Sequence, residues 1–185
     1  NASLIGVVGG GQLSMMLVEA AKRRNIEVAV QTTSVLDPAA NAAKSLVLAK
    51  SQDAVGTSQL VKSCSCVTFE NEWIDIESLK ILEREGALFI PSLSAMEPLV
   101  DKLSQRELIS NLGIPGPDWL MLSSNLLTPS KLPSNWKFPI MAKSSRGGYD
   151  GKGTKVIRNL DDLKELFQNV EPKEWFIEKW VPYEQ

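Results

Sequence analysis

Five short apolar runs, at residues 4–8, 28–30, 46–49, 66–69 and 88–90, dominate the first half of this chain. They recur about every twenty residues, the length of one strand, one helix and two turns. Unbroken apolar runs, unlike alternating ones, suit strands buried on both faces of a parallel sheet. Helical patterns fall between them. Residues 12–24 place Leu13, Met16, Leu17, Ala20 and Ala21 on one stripe, expected to face inward, and end in Lys22-Arg23-Arg24, which suits the negative end of a helix dipole. Ile76, Leu79 and Leu82 mark a second amphipathic helix. The class is α/β, and such sheets bind ligands at the carboxyl ends of their strands. That selects two turns, Gly9-Gly10-Gly11 and Phe69-Glu70-Asn71-Glu72.

The three-glycine turn follows a strand and opens a helix, an arrangement that aims amides and a helix N-terminus at an anion. A dinucleotide fingerprint would need a glycine where Ser14 stands and an acid where Gln31 ends the second strand. A single phosphate, such as a ribose phosphate, fits better, with a tight structural turn as the alternative. If the fourth strand continues, alternation sends Glu70 and Glu72 to one side, where they would accept hydrogen bonds from ribose hydroxyls or an amine. The alternative is an acidic helix N-terminus leading into Trp73 and Asp75.

The second half carries a richer glycine loop, Lys143-Ser144-Ser145-Arg146-Gly147-Gly148-Tyr149-Asp150-Gly151-Lys152-Gly153. Glycines let backbone amides approach a ligand, and the cations add charge for phosphate. It is not a Walker loop: Arg146 stands where the first glycine would be, and Gly153 where a Ser or Thr would follow Lys152. Apolar residues 138–142 and the run 154–157 make it a connection between two strands, either a mobile phosphate lid or a plain glycine-rich hairpin. Gly113 with Pro115 and Pro117 stops a helix over 102–112 and marks a hinge. Residues 123–137 read as loop. Asn159 caps a helix that turns Leu163, Leu166 and Phe167 inward, and 175–179 reads as a last strand with no sheet partner of its own.

Net charge is −2, without polarised halves, so nucleic acid is not an expected partner. There is no histidine, which excludes His bases and His metal sites within these residues. Cys64 and Cys66 are expected as free thiols in a reducing compartment. No apolar run reaches the ~20 residues of a membrane span, so no membrane partner is expected. Asn1-Ala2 reads as a tag remnant.

Taken in order, Gly9-Gly10-Gly11-Gln12-Leu13, Val67-Thr68-Phe69-Glu70-Asn71-Glu72, Pro91-Ser92, Asp101-Lys102 and Leu112-Gly113-Ile114-Pro115 resemble one family, as do Arg146–Gly153 and Glu178-Lys179-Trp180-Val181-Pro182-Tyr183. It is the 5-(carboxyamino)imidazole ribonucleotide synthetase family, the ATPase subunit of phosphoribosylaminoimidazole carboxylase. These are ATP-grasp ligases of purine biosynthesis, also grouped with the lyases. The run Gly147-Gly148-Tyr149-Asp150-Gly151-Lys152-Gly153 is the specific part of the resemblance, because other ATP-grasp enzymes rarely have its Tyr149-Asp150 pair.

The resemblance implies a Rossmann-like parallel-sheet domain over 3–113 with its linking helix. A partial α+β ATP-grasp domain over 114–185 follows, with the lid at 146–153. It implies a cytoplasmic enzyme, homodimeric at full length, that uses ATP to phosphorylate bicarbonate to carboxyphosphate and carboxylates the amine of 5-aminoimidazole ribonucleotide. Position by position, Lys102 and Lys143 would contact ATP phosphates, helped by Gly148, Gly151 and Gly153. Glu178, Lys179 and Val181 would hold adenine. Gly11, Gln12, Leu13 and Glu70 would hold the ribonucleotide, and Tyr149 and Lys152 would line the place where bicarbonate meets the amine. Ser14 and Met15 depart from the family's Gly-Arg. The ribose-binding acid and magnesium ligands are expected beyond Gln185, so these 185 residues are expected to be an inactive fragment with no metal ligand of their own. The rival readings are another ATP-grasp carboxylase or ligase, an NAD-dependent oxidoreductase, and a non-catalytic nucleotide-binding module.

Overall fold

The computed structural model describes residues 4–128, 131–148 and 153–182. The chain divides into two compact units, Asn1–Val100 and Asp101–Gln185. The sequence suggested a later break, after Gly113; the helix at 102–111 instead groups with the second unit.

In the first unit, β1 (Leu4–Val8), β2 (Glu27–Thr32), β3 (Ser45–Leu48) and β4 (Cys66–Phe69) form a parallel sheet in the order β3-β2-β1-β4. The fifth apolar run contributes one parallel bridge, Val67 to Phe89, at the β4 edge. Helices α1 (Gln12–Lys22), α2 (Ala54–Ser63), α3 (Ile76–Arg84) and the single-turn α4 (Leu93–Met96) surround the sheet. Successive strand residues point to opposite faces. Val7, Val28 and Val30 therefore pack with Val18 of α1, while Val8, Ala29 and Val67 pack with Leu60 of α2 and Leu79 of α3. Both faces are covered over β1 and β2, which is why these strands read as unbroken apolar runs, while the edge strand β3 is only partly buried and exposes Leu48.

Two expectations need correction here. The buried side of α1 is Ser14 and Val18, with Met15 and Ala21 packed partly against the core; Leu13, Met16 and Leu17 are exposed. Ser14 and Val18 face the sheet, and the larger apolar stripe is turned outward. The strand before Glu70 ends at Phe69, so alternation does not place Glu70 and Glu72 on one side. Cys64, at the end of α2, and Cys66, opening β4, are half-buried free thiols. Burial pushes the Cys64 thiol above its ordinary range.

The second unit holds α5 (Lys102–Asn111), β5 (Trp119–Met121), β6 (Ile140–Ser144), β7 (Thr154–Ile157), α6 (Leu160–Asn169) and β8 (Trp175–Lys179). Its strands form an antiparallel sheet in the order β5-β8-β6-β7. The last strand was expected to lack partners, yet β8 lies inside the sheet between β5 and β6. Its β5 partner is only Trp119-Leu120-Met121, too short to stand out by pattern. One sheet face buries Ile140, Ala142, Ile157 and Ile177 against Leu163 and Leu166 of α6. Asn159 caps α6 by accepting from the amides of Asp161 and Asp162, as its sequence suggested. Leu126 and Trp136 join this core from the segment read as loop, which contains a short 3₁₀ turn. Gly113, at φ 66°, ends α5 in the left-handed conformation.

Candidate functional site

In the first unit the three glycines follow β1 and bring the backbone against Glu70. Gly9 adopts φ 112°, and a methyl group on Gly9 or Gly11 would stand 2.5–2.6 Å from the Glu70 carboxylate oxygens. A methyl on Gly10 would collide with Thr32. The Glu70 carboxylate accepts from the amide of Gly11 at 2.9 Å and from that of Ser14 at 3.3 Å. The anion at the start of α1 is thus supplied by the chain itself, complementing the helix dipole. Ser14 is buried, and its hydroxyl donates to the Gly9 carbonyl at 2.7 Å, tying the turn to the first helical turn. The amides of Gln12 and Leu13 belong to the same helix start, and both residues are exposed. The structure brings Gly11, Gln12, Leu13 and Glu70 to one edge of the parallel sheet, with the Glu70 carboxylate already engaged.

Gln31 has a structural role at this edge. It is fully buried, donates to the carbonyls of Lys50 and Asp53 at 2.7 and 3.1 Å, and accepts from the Thr57 hydroxyl at 2.9 Å. It locks β2 to the start of α2 and presents no acid where a dinucleotide ribose would need one.

In the second unit a cavity of about 300 Å³ opens on the sheet face opposite the α6 core. Met141 and Lys143 alternate outward from the buried Ile140, Ala142 and Ser144 of β6, and they share this cavity with Glu178, Lys179 and Val181. Glu178 pairs across the sheet with Met141, and Lys143 reaches it diagonally, Nζ to Oε2 at 2.6 Å. From α5, Arg106 sends both Nε and a terminal guanidinium nitrogen to the other oxygen, Oε1. The Glu178 side chain is 4% exposed, so one buried carboxylate holds two cations. Its side chain is thereby committed to those cations, and its backbone lies within the paired strand. Lys179 ends β8, and Trp180 and Val181 leave the sheet at the cavity's rim.

Ile114, Pro115, Gly116 and Pro117, read in the sequence as a hinge, form part of the cavity wall. Arg106 and Met141 were missed. Arg106 carried a signal, because it stands one helical turn after Lys102 on α5.

The base of the glycine loop is built by β6, β7 and the start of α5. Lys143 pairs with Thr154 across the ladder, so the loop joins two antiparallel strands. Ser144 donates its amide to the Gly153 carbonyl at 2.8 Å. Gly153 has φ 74°, and a methyl there would collide with the Ser144 hydroxyl and come within 2.9 Å of the Gly148 Cα. Lys102 donates its amide to the Ser145 carbonyl at 2.8 Å and its ammonium to the Gly148 carbonyl at 3.2 Å. Asp101 accepts from Arg146 at 3.0 Å. Lys102, Gly148 and Gly153 thus meet at the loop's base. Tyr149, Gly151 and Lys152 lie outside the described residues.

The family model of the ribonucleotide synthetase preATP-grasp domain matches residues 3–98. The chain belongs to this family. Its second unit matches the ATP-grasp domain over residues 107–185. Within the preATP-grasp family, an N5-carboxyaminoimidazole ribonucleotide synthase of Synechocystis is 42% identical over 181 residues, 98% of this chain and 45% of the relative. The N5-carboxyaminoimidazole synthetase of Staphylococcus aureus, solved with ADP, is 30% identical with a TM-score of 0.86, covering 97% of this chain and 48% of that one. The Aspergillus clavatus enzyme, solved with ADP and 5-aminoimidazole ribonucleotide, is 31% identical with a TM-score of 0.82, over 98% and 47%. The chain spans less than half the length of the relatives it matches. No helix among the described residues is long and apolar enough to cross a membrane.

Proposed function

We propose that the protein containing this chain is a 5-(carboxyamino)imidazole ribonucleotide synthetase. It would use ATP to carboxylate 5-aminoimidazole ribonucleotide with bicarbonate by way of carboxyphosphate, in purine biosynthesis. The observation that carries this reading is the cavity of the second unit. A strand-borne cation, Lys143, and the departing segment Lys179–Val181 line one site within an ATP-grasp fold. Relatives of that fold are solved with ADP and with the aminoimidazole ribonucleotide.

In this reading adenine lies against Met141 and Val181 and takes its polar contacts from backbone groups beyond β8, where the ladder ends. Lys143 and Lys102 bring positive charge to the phosphates, and Gly148, Gly151 and Gly153 allow the backbone to approach them. The ribonucleotide is assigned to the edge formed by Gly11, Gln12, Leu13 and Glu70. Exposed Gln12 and Leu13 supply amides at a helix start, and the Glu70 carboxylate has acceptor capacity beyond its two amide bonds. Tyr149 and Lys152 are assigned to the bicarbonate and amine. A closed glycine loop would keep water from an acyl phosphate that otherwise hydrolyses.

Magnesium is expected to accompany ATP. The described residues hold no group of three His, Cys, Asp or Glu able to grip a metal, so no residue here is assigned to it. The half-buried free thiols fit the cytoplasm. A homodimer is proposed for the full protein, and the exposed Met16 and Leu17, outside the residues assigned to the ribonucleotide, give apolar surface that association would cover.

The test is fixation of labelled bicarbonate by the full-length protein. Acid-labile label on the ribonucleotide, with stoichiometric phosphate release, is expected only when ATP, bicarbonate and 5-aminoimidazole ribonucleotide are all present. ATP hydrolysis that ignores the ribonucleotide, or carboxylation of a different amine, would overturn the proposal.

A further inference from the structure

Glu178 is almost completely buried and carries two cations, while one would neutralise it. Burying a carboxylate without a partner is strongly unfavourable, so a Lys143 that is its only counter-charge could not leave it. The two cations are not equivalent. Arg106 commits two nitrogens to a single oxygen, and its guanidinium is planar, weakly hydrated and permanently charged. Lys143 makes one contact, to the opposite oxygen, through a flexible stem. Arg106 is also held from behind, because its helix is anchored by the Asp101 cap and by the bond from the Lys102 amide to Ser145.

We propose that Arg106 is a positioning residue of this cavity: it holds and neutralises Glu178 so that the Lys143 ammonium is released to the phosphates of a bound nucleotide. The inference rests on the nucleotide reading of the cavity. With Arg106 in place, Lys143 moves from Glu178 to a phosphate and the carboxylate keeps its pair. Without it, Glu178 retains Lys143, and the phosphates lose a charge-assisted partner. The role concerns the phosphates alone, so adenosine, which has none, is indifferent to it.

Calorimetric titration of the full-length protein with ADP and with adenosine tests this. Arg106→Met is expected to weaken ADP by about ten- to a hundredfold, the range of one lost charge-assisted hydrogen bond, and to leave adenosine affinity near its starting value. Arg106→Lys restores most of the ADP affinity. In a Lys143→Met background the selective effect of Arg106→Met disappears. Equal weakening of both ligands would mark Arg106 as merely structural and overturn the proposal. Unchanged ADP affinity in Arg106→Met would do the same. A selective ADP loss that persists undiminished with Lys143→Met would mean direct phosphate contact by Arg106, and also overturns it. Failure of the unaltered protein to bind ADP removes the nucleotide reading itself, and this inference with it.

Discussion

Glu70 shows how one side chain serves both a fold and a site. Its carboxylate bridges the turn after β1 and the first turn of α1 through the amides of Gly11 and Ser14. Replacing it with alanine leaves those donors without their acceptor at the positive end of the helix, a cost of ~1–2 kcal/mol. In a unit of this size each kcal/mol lowers the melting temperature by about 4–8 °C. Glu70→Gln retains an acceptor oxygen and is expected to lose less than half as much. Thermal unfolding followed by circular dichroism distinguishes the two; an alanine variant that melts like the parent removes the capping role. The same pair separates stability from ligand recognition. Loss of ribonucleotide binding in the glutamine variant would then reflect the missing charge, with the turn intact. The sequence could pick Glu70 as a site residue, because it sits at a strand's carboxyl end beside a chain reversal. It could not show that the nearest donors to Glu70 are its own chain's amides, since that contact spans 59 residues.

Helix α5 and the loop after β6 act as one element through Asp101. Oδ1 caps the helix by accepting from Leu103 and Ser104 at 2.9 and 3.0 Å, and Oδ2 receives Arg146. These two roles differ in weight. The Arg146 side chain is 72% exposed, so its ion pair is worth at most ~1 kcal/mol. The cap is worth ~1 kcal/mol and asparagine supplies it nearly as well as aspartate. Asp101→Asn, which loses only the ion pair, is therefore expected to cost ~1 kcal/mol or less, and Asp101→Ala, which loses the cap as well, ~1–2 kcal/mol. Urea denaturation measures both, and equal losses would show that charge, not capping, dominates at this junction. Elements of this kind differ in legibility. Strands β1 and β2 announce themselves because a sheet covered on both faces demands continuous apolar runs. Helix α6 does so through Asn159 and its apolar spacing. The facing of α1 differs from its apolar stripe because the residues buried on it are Ser14, whose polarity hides it from an apolar pattern, and Val18, while the larger Leu13, Met16 and Leu17 are left outside. The interior place of β8 was hidden because its partners lie far off in sequence, and one of them is three residues long.

For the whole molecule, the division into two units coincides with the division of its apolar cores. The clusters around Val8 and Leu60 and around Val7 and Val18 draw on residues up to and including Val100. The cluster around Ile140 and Ile177 draws only on residues after Asp101. The glycine stop at Gly113 suggested the later boundary. The compact units divide at Asp101 instead: α5 buries none of its residues, but Arg106 is tied to Glu178 of β8 and Lys102 to the β6 loop. The strands of the first unit pair with one another and pack on both faces against its own helices. A polypeptide of residues 1–100 is therefore expected to fold alone and to melt in one cooperative transition with dispersed amide resonances. A polypeptide of residues 1–113 carries α5 without β6 and β8, and its added helix is expected to remain largely unfolded, since a helix of this length is marginal in water without packing. Proton exchange measures both. Protection of the 102–111 amides in the longer piece, equal to that of α1, would place α5 with the first unit after all; broad, non-cooperative melting of the shorter piece would show that its two cores are insufficient by themselves.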